Sequence, residues 1–81
     1  MTPAELRSAI DMALACKWDE AHGIVQADEA DPTACWIHAV LHKIEGDSGN
    51  ARSWYARAGR LDWVGRDAVE ELAAIRDTLP P

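Results

Sequence analysis

Residues 31–59 read DPTACWIHAVLHKIEGDSGNARSWYARAG, and this stretch decides the fold. Asp31-Pro32 marks a boundary, because the residue before a proline is pushed out of the helical region. From Pro32 to about Glu45 apolar residues recur at helical spacing, and Gly46 supplies the left-handed conformation that closes a helix. Asp47 or Ser48 then caps a further helix to about Gly59, with Ala51, Trp54, Tyr55 and Ala58 on its inner stripe. The segment is a helical hairpin.

Working outward toward the N-terminus, the pattern recurs at a shift of thirty residues. Leu6 falls on Trp36, Ala9 on Ala39, Ile10 on Val40, Leu14 on Ile44, Ala21 on Ala51 and Val25 on Tyr55. Each copy places two alanines twelve residues apart, where the small faces of two paired helices can touch. Repeat periods of this size mean stacked helical units. The first helix opens at Thr2, with Pro3 in the first turn and Glu5 as capping-box partner, and its apolar face is Leu6, Ile10, Ala13 and Leu14. A break near Cys16 and Lys17 precedes a helix from Trp18 or Asp19 with Trp18, Ala21 and Val25 on one side. Toward the C-terminus, a linker with Gly59, Trp63 and Gly65 leads to a last helix from about Asp67 to Leu79. Val69, Leu72, Ile75 and Leu79 are its expected buried edge, and Pro80-Pro81 stop it. The expectation is an all-α chain of two antiparallel hairpins and a C-terminal helix capping an end that would otherwise be exposed.

The segment 31–59 resembles one tetratricopeptide or Sel1-type repeat unit. Ala39 matches the small residue within its first helix, Gly46-Asp47 the turn, and Ala51, Tyr55 and Ala58 the alanine, aromatic and alanine of its second. ALACKWDEAHGIV, residues 13–25, is similar to a weaker copy that lacks the glycine of the turn. The resemblance implies a scaffold that binds other proteins, and it names no activity. It leaves unexplained His38 and His42, which stand where such a unit carries large apolar residues, and Trp63, which stands roughly where a proline is common. The phrases WDEAH, WIHAVLHKIEGD and NARSWYARAG are also similar to a group of short bacterial proteins of uncharacterised function, which implies no activity either.

Composition narrows the function classes. Eighty-one residues make one domain, 1–81, of modest stability, because so short a chain buries only about 60–65% of the surface its unfolded form exposes. The net charge of −6 argues against general nucleic-acid binding, which needs a basic surface. That charge sits in residues 1–47, with nine acids and three bases, whereas residues 48–81 hold five of each. Within the second part Arg52, Arg57, Arg60 and Arg66 face the single nearby acid Asp62. Cys16 and Cys35 are too few for a secreted disulfide framework and no signal peptide is apparent, so a reducing, cytoplasmic setting is expected. No apolar run approaches the roughly 20 residues that span a bilayer, so no membrane association is expected.

The third helix is two-faced. At about 100° per residue, Trp36, Ile37, Val40, Leu41 and Ile44 gather on one arc, and Cys35, His38, His42 and Glu45 on the other. His22, beside the apolar stripe of the preceding helix, can join them. One reading is a metal site, with Cys35, His38 and His42 on a stripe and His22 or Glu45 completing a tetrahedral set suited to zinc. A second is a polar core in which Tyr55, Glu45, Asn50 and Asp47 satisfy the imidazoles. A third makes His38 or His42 a general base assisted by Tyr55 or Glu45. The sequence leaves these open, and both histidines are expected to face the fourth helix close to Tyr55. Trp18 and Trp54 read as core, and Trp63 either as an exposed interface anchor or as a seal under the last helix. The leading functional expectation is a scaffold or adaptor that contacts another protein or a second copy of itself, with Trp63, Arg52, Arg57 and Arg60 as its surface. The alternative is a metal or small-molecule site, catalytic or not, at His22, His38 and His42.

Overall fold

Pro3–Leu14 (α1), Trp18–Val25 (α2), Pro32–Ile44 (α3), Ser48–Ala58 (α4) and Ala68–Thr78 (α5) follow one another in the computed structural model, which describes residues 1–81. A 3-10 turn at Leu61–Trp63 precedes α5, and there is no strand. The chain is all-α, as the helical spacing of its apolar residues predicts. Thr2 accepts from the Glu5 N–H and Glu5 reaches back to the Thr2 N–H, which closes the expected capping box on α1. Asp31, Asp47 and Asp67 cap α3, α4 and α5 through their side-chain oxygens.

Three helices end in the same turn. Lys17 N–H donates to Met12 and Cys16 N–H to Ala13; thirty residues on, Asp47 donates to His42 and Gly46 to Lys43; after α4, Arg60 donates to Tyr55 and Gly59 to Ala56. This paired pattern requires a left-handed residue, and Gly46 (φ 87°) and Gly59 (φ 71°) supply it without steric cost. In the first copy Cys16 adopts φ 61° although it carries a side chain. The first turn therefore bears a steric cost that the two glycine turns avoid.

α1 packs on α2 and α3 on α4, while α5 lies across α3 and α1. α3 touches all four other helices, and every residue from Ala34 to His42 is buried. The core runs from Leu6, Ala9 and Ile10 through Ala21, Val25, Ile37, Val40 and Leu41 to Ala51, Tyr55, Leu72 and Ile75. The alanine pairs of both copies, Ala9 with Ala21 and Ala39 with Ala51, are buried, so the helices approach closely there.

Several expected core positions lie elsewhere. Leu14 and Ile44 are the last residues of their helices and project past the packed region, and both are exposed. Val69 is exposed and Leu79 only partly covered, whereas Glu71 is fully buried. On a 100° wheel Glu71, Ile75, Ala68, Leu79 and Leu72 span one arc, with Val69 just outside it. α3 is chemically two-faced, but both faces are interior. No helix is long and apolar enough to cross a membrane.

Candidate functional site

Because α3 is enclosed, its polar side chains must find partners on neighbouring helices. His38 and His42 point toward α2 and the first half of α4. His22 comes from α2, and the ring centroids lie 4.6 Å (His22 to His38), 4.9 Å (His38 to His42) and 5.4 Å (His22 to His42) apart. One ligand nitrogen from each of the three falls within 4.8 Å of the others. Two indoles wall the group: Trp18, one helical turn before His22, stacks on it at 4.6 Å, and Trp54 stacks on His38 at 3.8 Å. Trp18 is fixed in turn by its Nε1, which donates to the Leu41 carbonyl across the helix pair at 2.6 Å.

The three imidazoles are not equivalent. His42 Nδ1 lies 2.5 Å from Glu45 Oε2, and a carboxylate only accepts, so Nδ1 carries a proton, and in the neutral ring Nε2 holds the lone pair. The Asn50 amide stands 3.4 Å from that Nε2. His38 is 4% exposed, and its Nδ1 is buried with no hydrogen-bond partner. Loss of hydration, reinforced by repulsion from His22 and His42, pushes the His38 pKa down to about 4. Burial, and then His42, also lower that of His22. Both rings are therefore neutral at pH 7, the form that ligates metals.

Two residues of the expected cluster are not in it. Cys35 sits in the first turn of α3, and because helical side chains tilt toward the N-terminus its Sγ reaches back to the Glu29 carbonyl at 3.1 Å, away from the imidazoles. Burial raises its pKa and keeps it a thiol. Tyr55 is next to Trp54 on α4, and adjacent helical residues diverge by about 100°. Trp54 covers His38, so Tyr55 turns to the other side of α3. There its hydroxyl donates to both oxygens of Glu71 at 2.8 Å, and its pKa is raised by burial and by that carboxylate.

Glu71 is the centre of a second buried group. It also accepts from Trp36 Nε1 at 2.8 Å and from Lys43 Nζ at 2.6 Å. Lys43 Nζ donates further to the carbonyls of Trp63 (3.2 Å) and Arg66 (2.6 Å), which ties the linker onto α3. Every oxygen of this group is satisfied, so it serves as the fastening of α5. The sequence signal was available in the wheel position of Glu71, but a glutamate between Ala68 and Ile75 reads as solvent-facing until a donor set is known.

The third feature is a band of arginines on tryptophans. Arg57 lies over Trp54 (4.6 Å), Arg60 over Trp36 (4.6 Å) and Arg66 over Trp63 (4.4 Å), and Trp36 and Trp63 are 5.5 Å apart. Trp63 is half-buried and packs against the core. Of these guanidinium groups only that of Arg57 has a carboxylate nearby, Glu29 at 3.7 Å, and the exposed Arg52 of α4 has none within 4.0 Å. Arg66 was outside the expected surface; Arg52, Arg57 and Arg60 were within it. Comparison with protein-family models, with curated proteins and with solved structures finds no match to this chain.

Proposed function

We propose that the chain is a small helical-hairpin adaptor that docks an acidic segment of a protein partner on its arginine–tryptophan band. One observation carries this: on a chain of net charge −6, Arg60 and Arg66 lie over the rings of Trp36 and Trp63 and have no carboxylate within 4.0 Å. A guanidinium held over an indole has lost much of its side-chain freedom before binding, while its N–H donors remain available to a carboxylate. Arginine and tryptophan are also the residues in which interface binding energy concentrates. The resemblance of residues 31–59 to a tetratricopeptide or Sel1-type unit supports an adaptor role, and the two unpaired thiols suit a reducing, cytoplasmic setting.

The test is a fluorescence titration of the tryptophans with a glutamate-rich peptide, a basic peptide of equal length and inorganic phosphate. The acidic peptide is expected to bind, more weakly as salt rises, and Arg60→Glu with Arg66→Glu to weaken it at least tenfold. Equal binding of the basic peptide, or indifference to both substitutions, would remove the proposal. Residues 1–47 hold the acidic excess, so sedimentation across a concentration series shows whether the acidic partner is a second copy of the chain.

A further inference from the structure

We infer that His22, His38 and His42 form a binding site for a divalent ion of the zinc type, with three imidazole ligands and a fourth position left to solvent or a small anion. This site does not involve Arg60, Arg66, Trp36 or Trp63, and it shares with the arginine–tryptophan band only Trp54, which stacks on His38 beneath Arg57.

Three observations converge on it. The first is geometric: one nitrogen of each ring already lies within 4.8 Å of the other two. Ligand atoms around a tetrahedral zinc with bonds of about 2.05 Å stand roughly 3.3 Å apart, so side-chain rotations of about an ångström close the set. The second is the buried His38 Nδ1, which has no partner. An imidazole serving only to fasten two helices would have its buried nitrogens satisfied. Glu71, on the opposite side of α3, shows what a completed structural network looks like in this same core. The third is the orientation of His42. Its Nδ1 is held by Glu45, so that the nitrogen offered to a metal is Nε2, which has only the Asn50 amide at 3.4 Å to displace; this is the carboxylate–imidazole arrangement that orients and strengthens a metal-ligating histidine.

The donor set selects the ion. Three imidazole nitrogens suit zinc and its borderline neighbours; magnesium and calcium require oxygen ligands, and copper(I) prefers sulfur. Cys35 contributes no thiolate, because its Sγ is turned to the Glu29 carbonyl. Glu45 is engaged by His42 and acts on the metal through that ring. Three protein ligands with an open fourth position is the pattern of sites that bind an exogenous ligand at the metal, whereas closed structural sites use four. Because His22 belongs to α2 and the other two to α3, the ion would also staple one hairpin to the other.

The test uses the full chain without an affinity tag, freed of metal with a chelator. Calorimetric titration with zinc chloride is expected to give one saturable equivalent, and titration with magnesium or calcium none. His38→Phe, which preserves the stack on Trp54, and His22→Gln, at the half-buried edge of the cluster, are each expected to weaken zinc more than about a hundredfold, while Cys35→Ala leaves it unchanged. Cobalt(II) is expected to give the intense visible bands of a four-coordinate ion with no thiolate charge-transfer band. Circular dichroism reports whether each variant is folded; if His38→Phe is not, His22→Gln decides. Absence of saturable zinc binding, binding that survives a folded histidine variant, or binding lost with Cys35→Ala would each overturn the site.

Discussion

Glu71 shows how much one residue carries in a core this small. Its carboxylate accepts from Trp36, Tyr55 and Lys43 while fully buried, and it joins α5 to α3 and α4. Removing it leaves the buried donors of Trp36 and Tyr55 without their acceptor and the Lys43 cation without its counter-charge, a costly kind of loss in a protein interior. Glu71→Ala is expected to lower unfolding stability by about 3–5 kcal/mol, and Glu71→Gln, which keeps an acceptor but loses the charge, by about 1–3 kcal/mol. Urea unfolding measures both, and an alanine variant as stable as the parent would show that the network contributes nothing. The histidines were legible as a group from their helical spacing, and their neighbours were legible only in part. Trp18 stacks on His22 from the same helix face at a separation of four, which the sequence does encode. Which of Trp54 and Tyr55 turns toward His38 depends on the rotation of α4, which no local rule fixes.

The elements follow local rules closely, and the turns expose the exception. Gly46 and Cys16 occupy the same left-handed position thirty residues apart, in turns closed by the same two hydrogen bonds. A side chain in that conformation costs roughly 1–2 kcal/mol relative to glycine. Cys16→Gly is therefore expected to stabilise the chain by about 1 kcal/mol, offset slightly by greater unfolded-state freedom, and Gly46→Ala to destabilise it by a similar amount. Thermal or urea unfolding of the two variants checks the pair. Equal effects of the same sign would mean that the two turns are not equivalent. Helix boundaries were readable to within a residue or two because caps and closing glycines are local. The rotation of α5 was misplaced because Val69 outweighs Glu71 on any hydrophobic scale, and only the donors from α3 and α4 reverse that preference.

Taken whole, the molecule holds neutral imidazoles inside a domain of 81 residues, and this makes its stability depend on pH. Native His38 binds a proton only near pH 4, whereas the unfolded ring does so at its ordinary 6.5. Between those values the unfolded state holds more protons, so stability falls as the pH is lowered through the window and is fully present above it. His22, shifted in the same direction, adds to the slope, while Glu45 and Asp19 oppose it at that residue. The metal-free chain is expected to unfold at lower urea concentration at pH 5 than at pH 7, and His38→Phe to remove much of that difference. A flat profile across this range would mean that the rings protonate without disturbing the fold.

The sequence by itself determined the helices, their caps and the grouping of His38 and His42 along one arc of α3, because each depends on residues within a turn or two of one another, and it carried the thirty-residue recurrence because the same local pattern is written twice. The tertiary structure decided what surrounds α3. Once four helices enclose it, both arcs become interior, and each polar side chain is assigned by the neighbour it meets: Tyr55 and Lys43 to Glu71, Cys35 to the preceding loop, His42 to Glu45 and Asn50. His38 Nδ1 is left without a partner by the same packing. Its environment is set by Trp54 from α4 and His22 from α2, residues sixteen positions away on either side, and contacts at that separation are fixed by how helices pack rather than by which residues form them.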